Sequence, residues 1–534
     1  MHDIGLGSWP RRRALASPHR VAWTHEGRDT TYAEVHARTT HLSGALGDAG
    51  VQPGDRVAYV GFNHPALLET LFATARAGAI TVLVNPRLST GELDYIVADS
   101  QPTVVVHGPE LAAWAQGYAA GDRNDAGPDG SSGGVRAVVG VQEAGPGGYE
   151  AFLASGSETE ATPNGLEDVC LIMYTSGTTG NPKGAMLTHG NLFFNDINQL
   201  LTVDLRPDEV CLDVGPLFHI AALNGLALPV FLKGGRQVIR TKFRPEEAFR
   251  DIREHGVTSM FTVPLMLDAM AHHPDFATAD LSSLRSLICG GAPVPDRLLR
   301  VFAERGISVL QGYGLTETSP GAMLLEPEYS ATKSGSAGVS QFLVDTRVVG
   351  PDGEDLPPHE PGEILIRGPI VTPGYWQKPE ATEEAFTGDW FHTGDIAVRD
   401  EDGFTFLVDR SKDMYISGGE NVYPTEVENR LLDVPGVAEA AVIGVADDKW
   451  GEVGSAFIVP QDGVELTEDS LRADLENRLA RYKMPHHVTF VSELPRTATG
   501  KVKKHVLRQD LAGAAPGVSD SPGALSTSMT GESR

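Results

Sequence analysis

The chain has 534 residues, 41% of them hydrophobic, and its 71 acidic and 43 basic side chains give a formal net charge of −28. A chain of this length is too long for a single hydrophobic core, so we expect at least two domains. The strong negative charge argues against a nucleic-acid backbone or an anionic membrane as a partner, and it favours a soluble protein.

Cysteine usage and the N-terminal sequence indicate a cytoplasmic protein. Cys170, Cys211 and Cys289 are far apart, lie among apolar residues and lack the spacing of a metal site, so we expect buried free thiols. Residues 1–18 lack the uninterrupted apolar stretch of a signal peptide. No run approaches the roughly 18 apolar residues that would predict a transmembrane segment.

Residues 20–110 alternate predicted strands and helices. Residues 20–35 predict a hairpin that leads into a helix capped by Thr31. Strands over 57–60, 80–84 and 104–106 accompany a helix over 64–77, and this alternation predicts a layered α/β domain. Residues 121–134 are rich in Gly, Asp and Ser and read as a surface insertion without an assigned function.

The most informative stretch is residues 174–189, YTSGTTGNPKGAMLTH, which follows a predicted buried strand over 169–173. Its glycines let the backbone approach a ligand, its hydroxyls and N–H groups offer donors, and its lysine supplies a compact positive charge. This composition predicts a polyphosphate cradle, with an ordinary surface loop as the alternative. Gly184 follows Lys183 where the nucleotide-binding P-loop needs Ser or Thr, so kinase and GTPase chemistry is disfavoured.

This stretch resembles the phosphate loop of the adenylate-forming superfamily, which includes acyl-CoA synthetases, peptide-synthetase adenylation domains and luciferases. The resemblance covers roughly residues 20–510, with five motifs in order. It implies a large layered α/β domain with a β-barrel-like subdomain, followed by a small, mobile α+β domain. It also implies that ATP is bound by the loop residues Thr175, Ser176, Gly177, Thr178, Thr179, Gly180 and Lys183.

Later segments complete the nucleotide site that the resemblance implies. After strands predicted over 257–263 and 284–289, the turn at Gly291, Ala292 and Pro293 would border the adenine and the acid. The next stretch would contribute Gln311, Gly312, Tyr313, Gly314 and Thr316, and the oxygens of Thr316 and Glu317 suit Mg²⁺. Asp395 would accept hydrogen bonds from both ribose hydroxyls, although alone it reads equally well as a turn residue. Arg410 would contact ribose or phosphate.

The acid site is expected after a helix predicted over 191–201. A lone histidine among apolar residues is more often a satisfied core residue, but the resemblance places His219 beside the acyl carboxylate. No acidic residue lies between Phe218 and Leu228, which disfavours an amino-acid substrate. Relatives usually have glycine where Ala222 stands, so the pocket depth stays open. Small side chains predict an apolar pocket bordered by Phe218, His219, Ala222, Gly291, Ala292 and Gly314.

The predicted domain boundaries follow from a strand-rich stretch over 335–408 and the charged segment after it. We expect an N-terminal AMP-binding domain over 1–409, a hinge over 410–412, a mobile domain over 413–511 and a disordered tail over 512–534. The small domain is predicted to have helices over 424–432 and 467–479 and strands over 438–445, 454–459 and 487–490. Lys503 and Lys504 are expected to be solvated charge. The resemblance makes Lys412 the hinge, places Gly418 and Gly419 on the CoA path, and makes Lys501 the catalytic lysine.

The implied reaction activates a carboxylic acid with ATP to an acyl adenylate and transfers the acyl group to CoA, giving acyl-CoA, AMP and pyrophosphate. Lys501, Glu317 and His219 would be catalytic, with Mg²⁺ as the cofactor. We expect a medium- or long-chain fatty acid. CoA is favoured because no extra insertion precedes the hinge, while a stand-alone enzyme that loads an acyl or aryl acid onto a carrier protein remains the alternative. A catalytically inactive nucleotide-binding protein is disfavoured because these residues are present. A homodimer is possible.

Overall fold

The computed structural model describes residues 3–119, 134–175, 182–292, 294–330, 332–410, 413–417, 420–447, 449–461, 463–475, 479, 481–496 and 501–513. Contacts divide the chain into a larger unit, Met1–Lys412 with Ala498–Lys501, and a smaller unit, Asp413–Thr497 with Val502–Arg534. The predicted hinge role of residues 410–412 remains a prediction. Within the described ranges, no helix has the length and apolarity needed to cross a bilayer.

Within the described residues, the larger unit contains three sheets. Its strands are β1 (Val21–His25), β2 (Arg28–Thr31), β3 (Arg56–Val60), β4 (Ile80–Val84), β5 (Pro102–His107), β6 (Ala137–Gly140), β7 (Val169–Thr175), β8 (Lys183–Thr188), β9 (Val210–Asp213), β10 (Arg236–Ile239), β11 (Ser259–Thr262), β12 (Ser286–Gly290), β13 (Val309–Tyr313), β14 (Met323–Leu325), β15 (Val339–Ser340), β16 (Asp345–Val349), β17 (Gly362–Arg367), β18 (Phe386–Thr387), β19 (Trp390–Arg399) and β20 (Thr405–Arg410).

Helices cover these sheets. They are α1 (Trp9–Ala16), α2 (Tyr32–Asp48), α3 (Pro65–Arg76), α4 (Thr90–Ser100), α5 (Ala112–Ala119), α6 (Tyr149–Ser155), α7 (His189–Thr202), α8 (Ile220–Ala222), α9 (Leu228–Lys233), α10 (Pro245–His255), α11 (Pro264–His272), α12 (Asp296–Glu304) and α13 (Pro379–Glu384). A π turn at Leu223–Ala227 joins α8 to α9. The predicted cap of α2 is confirmed, because the Thr31 side chain and Glu34 form a reciprocal capping box.

Two largely parallel sheets carry the candidate site. The six-stranded sheet has the order β6-β5-β3-β4-β7-β8, and the nine-stranded sheet has the order β15-β14-β13-β12-β11-β9-β10-β1-β2. Strands β4 and β5 are buried along their whole length, as expected for parallel strands covered on both faces. One core cluster contains residues of both sheets and of α2, α3, α7 and α9. The carboxyl ends of parallel strands meet at one edge, where ligands bind in open α/β folds.

The strand-rich stretch forms an antiparallel sheet of β16-β17-β19-β18, with β20 paired to β19. Its cluster of buried side chains includes Ile364 and Ile366 of β17, Ala397 of β19, and Val344, which directly precedes β16. The predicted β subdomain is therefore an antiparallel sheet within the larger unit.

The smaller unit is α+β, as predicted. Its elements are β21 (Tyr415–Ser417), β22 (Glu420–Val422), α14 (Pro424–Leu432), β23 (Val437–Asp447), β24 (Gly451–Pro460), α15 (Glu468–Leu475), β25 (His487–Phe490) and α16 (Lys504–Gly513). The helix predicted over 424–432 and the strand predicted over 487–490 have those bounds. The interpretation of Lys504 as solvated charge is wrong, because its Nζ pairs with Glu428 Oε1 at 2.8 Å and both side chains are mostly buried.

Candidate active site

The phosphate loop connects two antiparallel strands at the edge of the six-stranded sheet. Strand β8 pairs with β7, and Thr175 lies opposite Lys183 in the register. The two ends of the predicted cradle are therefore neighbours across one strand pair. The sequence analysis did not predict β8. Ser176, Gly177, Thr178, Thr179 and Gly180 lie outside the described residues.

A buried carboxylate fixes the strand that leads into this loop. Asp99, 3% exposed, accepts a hydrogen bond from the Tyr174 hydroxyl, with 2.6 Å between Oη and Oδ2. Its Oδ1 lies 3.2 Å from Lys378 Nζ, and its carbonyl oxygen accepts from Trp376 Nε1 at 3.3 Å. Burial, and then the charge of Asp99, raises the pKa of Tyr174, so this hydroxyl stays protonated and donates.

The carboxylate predicted to bind metal lies close to the loop. Glu317 is 7% exposed, and its Oε1 accepts from the Tyr375 hydroxyl at 3.0 Å and more weakly from Thr175 Oγ1 at 3.4 Å. Among the described residues Glu317 has no ion-pair partner. A buried carboxylate without a cation is costly, and therefore the site fits a divalent cation. Thr316 begins the same 3₁₀ turn, Thr316–Thr318.

The described residues contain no group of three or more His, Cys, Asp or Glu side chains that could hold a metal on its own. Mg²⁺ is commonly bound by one or two carboxylates together with substrate phosphates. Glu317 therefore fits a magnesium ion that the nucleotide helps to hold.

The predicted ribose carboxylate lies in a strand. Asp395, 8% exposed, belongs to β19 and accepts a hydrogen bond from the Tyr313 hydroxyl at 2.8 Å. It lies opposite Arg410 in the β19–β20 register. The alternative reading of Asp395 as a turn residue is wrong. The structure thus brings together three residues that the sequence assigned to the nucleotide.

Strand β13 places the other nucleotide-site residues next to β12. Gly312 lies opposite Gly290, and Gln311 is 8% exposed. Gly314 has a packing role, because a Cβ there would overlap the Pro320 carbonyl oxygen. The neighbouring backbone therefore requires a glycine at this position, whichever ligand binds.

One residue proposed for the acid pocket, Ala222, lies near Phe261, a phenylalanine that sequence reasoning missed. Phe218 and Ala222 are each 3% exposed. A Cβ built on Gly215 would lie 3.1 Å from Ala222 Cβ and 3.1 Å from Phe261 Cδ1, so this glycine permits close packing. Cβ atoms built on Gly225 and Gly290 would also contact the Phe261 ring, at 3.9 and 3.7 Å. Gly215, Gly225 and Gly290 lie on separate segments of the sequence, and these glycines were the available signal for an aromatic ring packed against all three.

Gly291 and Ala292 lie at the exposed side of the same region. Gly291 has a φ of +86°, which favours glycine after β12. Pro293 lies outside the described residues.

His219 is neutral at physiological pH. Its ring lies 4.8 Å from the Phe218 ring between centroids, and its Nε2 is buried without a hydrogen-bond partner among the described residues. Burial chiefly lowers its pKa to about 4, and the positive charges of Lys501 and Arg87 lower it further. Lys501 belongs to the larger unit by its contacts and is itself exposed. The charge of one residue predicted to be catalytic thus favours the neutral form of another.

The predicted hinge residue Lys412 and the predicted CoA-path residues Gly418 and Gly419 also lie outside the described residues, so the hinge and the CoA path remain predictions. The sequence analysis also missed Asp99, Tyr375 and Trp376. An aromatic pair directly after Gly374, whose φ is +137°, was the available signal for the last two.

Comparisons with protein families agree with this geometry. Residues 10–376 match the model of the AMP-binding enzyme family, and residues 426–501 match the model of the AMP-binding enzyme C-terminal domain. The two matches together include the phosphate loop, Glu317 and Lys501.

Individual relatives span nearly the whole chain. A feruloyl-CoA synthase from an Amycolatopsis species is 49% identical over 95% of this chain and 99% of its own length. An indoleacetate–CoA ligase from Aromatoleum aromaticum is 40% identical over 95% of this chain and 98% of its own. The solved structure of a Mycobacterium tuberculosis fatty acyl CoA synthetase matches with a TM-score of 0.77 and 35% identity, over 96% of this chain and 99% of that one.

Proposed function

The chain belongs to the AMP-binding enzyme family and is an acid–thiol ligase that makes acyl- or aryl-CoA, and from this premise we propose that its acid is an aromatic carboxylic acid of the ferulate type. The observation that carries the proposal is the 49% identity to a feruloyl-CoA synthase over almost the full length of both chains. The 40% identity to an indoleacetate–CoA ligase supports an aromatic ring as the shared feature.

The surroundings of Phe261 support a rigid ring-binding wall. Its ring contacts the positions of Gly215, Gly225 and Gly290 and is 8% exposed, so it has little freedom to move. Aromatic rings pack well against such surfaces in offset or edge-to-face geometry. A flexible alkyl chain gains less binding free energy than an aromatic ring does by packing against a fixed flat wall. The earlier expectation of a medium- or long-chain fatty acid is not confirmed, and the similar Mycobacterium tuberculosis fatty acyl CoA synthetase keeps it as the second candidate.

In the first half-reaction the carboxylate attacks the α-phosphorus of ATP and pyrophosphate leaves. Lys183 and Thr175 would hold the departing phosphates, Asp395 would hold the ribose, and Lys501 would stabilise the charge that develops at the α-phosphate. Bound magnesium would neutralise phosphate charge. Neutral His219 would orient the acid by a hydrogen bond without cancelling the carboxylate charge that attacks. The substrates are the nucleophiles, so the enzyme supplies position and electrostatics.

In the second half-reaction the CoA thiol attacks the acyl adenylate and AMP leaves. The relatives that name a thiol acceptor name CoA, and the carrier-protein alternative gains no support from them. The proposed acceptor is therefore CoA, reached along Gly418 and Gly419.

The test is a substrate panel with purified enzyme, ATP, magnesium and CoA. Ferulate, cinnamate, indoleacetate, decanoate and palmitate would each be supplied, with AMP release giving kcat/KM and mass spectrometry identifying the product. We expect ferulate or cinnamate to exceed both fatty acids by about tenfold or more, a difference of roughly 1.4 kcal/mol in transition-state binding. Higher kcat/KM for palmitate would reverse the ranking. A phosphopantetheinylated carrier protein replaces CoA in the control, and acyl transfer to it alone would exclude CoA as the acceptor.

A further inference from the structure

Residues 372–376, here the strap segment, run beside the strand that carries Lys183. The Met186 N–H donates to the Gly374 carbonyl at 3.0 Å, and the Trp376 N–H donates to the Gly184 carbonyl at 2.8 Å. Ala185 and Tyr375 form an antiparallel bridge between these two bonds. Because β8 is the last strand of its sheet, the strap segment covers an edge that would otherwise be open.

The strap segment also holds Glu317 at two points. The Thr372 N–H donates to the Glu317 carbonyl at 2.8 Å, and the Tyr375 hydroxyl donates to Glu317 Oε1 at 3.0 Å. The Thr372 hydroxyl in turn bonds the Met186 carbonyl at 2.5 Å and the Gly374 carbonyl at 2.9 Å. Backbone and carboxylate of Glu317 are therefore fixed relative to β8 through one short stretch of chain.

Tyr375 contacts both charged groups of the candidate phosphate site. Its hydroxyl binds the carboxylate of Glu317, and its ring centroid lies 5.3 Å from Lys183 Nζ, within the range of a cation–π contact. Lys183 and Glu317 do not form an ion pair with each other within the described residues. Both charged groups contact the same tyrosine, and opposite charges attract, so a direct ion pair would occupy both groups before a substrate arrives.

We propose that Tyr375 is a positioning residue for the ATP half-reaction, whose hydroxyl aims Glu317 at a divalent cation and whose ring keeps Lys183 apart from Glu317 and available to pyrophosphate. The inference rests on the proposed function, since it takes Glu317 as the metal carboxylate and Lys183 as the phosphate lysine. The hydroxyl is the donor in its bond to Glu317, because an ionised carboxylate offers only acceptors.

The hydroxyl and the ring can be tested separately by Tyr375→Phe and Tyr375→Leu. Binding of Mn²⁺ in the presence of a non-hydrolysable ATP analogue would be measured by electron paramagnetic resonance, and binding of the analogue without metal by calorimetry. For Tyr375→Phe we expect Mn²⁺ to bind about tenfold more weakly, as is typical when a group that orients a metal ligand is lost. Analogue binding without metal should stay unchanged because the ring remains. Tyr375→Leu should weaken both the binding of Mn²⁺ and the binding of the analogue without metal.

Tyr95→Phe is the matched control. The Tyr95 hydroxyl donates to the Pro182 carbonyl at 3.2 Å, beside the same loop but without a hydrogen bond to Glu317. Both affinities should match those of the unmutated enzyme in this variant, within twofold. An equal loss of Mn²⁺ affinity in Tyr95→Phe and Tyr375→Phe would overturn the proposal, since any tyrosine near the loop would then have the same effect.

A second comparison, made in a Glu317→Gln background, tests the role of Tyr375 even if Tyr375→Phe lowers the stability of the enzyme. In a Glu317→Gln background, Tyr375→Phe should leave the residual Mn²⁺ affinity unchanged, because Tyr375 acts through that carboxylate. An additional tenfold loss there would contradict a positioning role. If the unmutated enzyme fails to bind Mn²⁺ with the ATP analogue, the proposed function fails. If it binds but Tyr375→Phe binds Mn²⁺ equally well, the proposed function stands and the role of Tyr375 is wrong.

Discussion

Removing the Asp99 side chain tests whether the phosphate loop depends on a contact well outside it. The Tyr174–Asp99 hydrogen bond is short, at 2.6 Å, and its acceptor is a buried carboxylate. Hydrogen bonds to charged groups contribute roughly 1.5–3 kcal/mol. Lys378 is 37% exposed, so its pairing with Asp99 adds at most about 1 kcal/mol. We therefore expect Asp99→Ala to lower the free energy of unfolding of the larger unit by about 2–3 kcal/mol, most of it through Tyr174.

The assay is a double-mutant cycle of Asp99→Ala and Tyr174→Phe, because the cycle separates their shared bond from the contribution of Lys378. Urea unfolding would be followed by tryptophan fluorescence, since five of the six tryptophans lie in the larger unit. The expected coupling energy is about 2 kcal/mol. Each single variant should also raise the KM for ATP roughly three- to tenfold in pyrophosphate exchange, because Tyr174 directly precedes Thr175. A coupling energy below about 0.5 kcal/mol, or an unchanged KM for ATP, would refute the reasoning.

Three further outcomes are expected. Ala222→Trp should reduce kcat/KM at least about tenfold for the largest accepted acids and less for small ones, because a buried alanine leaves no room for an indole. An equal loss of kcat/KM across acids of increasing size would contradict the placement of Ala222 in the acid pocket. Lys501→Ala should slow adenylate formation on the order of 100-fold and spare thioester formation from pre-made adenylate. Gly419→Leu should instead slow thioester formation and spare adenylate formation. Separate assays of the two half-reactions check both expectations. Burial lowers the pKa of His189 from 6.5 to about 4, so the folded state binds fewer protons than the unfolded chain and stability falls as pH drops below about 6.5. Urea unfolding between pH 7 and 4 should show a loss of about 3 kcal/mol from this group, absent in His189→Gln.

Elements with a strong local pattern were predictable from the sequence. The apolar run at residues 80–84 gives strand β4 with those bounds, and the Pro424-initiated helix ends at Leu432 as expected. Glycine-rich and hydroxyl-rich motifs likewise indicated the ends of the phosphate loop and Glu317 as candidates, whereas Asp395 was a candidate only through the family resemblance. These signals are local because strand burial, helix capping and loop chemistry depend on neighbouring residues.

Contacts between distant residues were not predictable in the same way. Tyr174 and Asp99 are 75 residues apart, and Tyr375 and Glu317 are 58 apart. No periodicity specifies which distant carboxylate a tyrosine will meet, since the meeting depends on how the sheets and the strap segment pack. The packing of Phe261 against three glycines has the same origin. Pocket walls and positioning residues therefore came from the structure, while the reacting motifs came from the sequence.

The π turn at Leu223–Ala227 has a consequence for how relatives of this chain diverge. A π turn holds one more residue than an α-helical turn, and its irregular backbone is supported here by Asn195, whose Nδ2 donates to the Asn224 carbonyl at 2.6 Å. Deleting a single residue from it would let the α-helical hydrogen bonds run from α8 into α9, so the Asn224 carbonyl would no longer need Asn195 as its donor. A change of chain length at this one point would therefore alter the backbone directly after Ala222, and homologues with one residue fewer here should differ in the acids they accept.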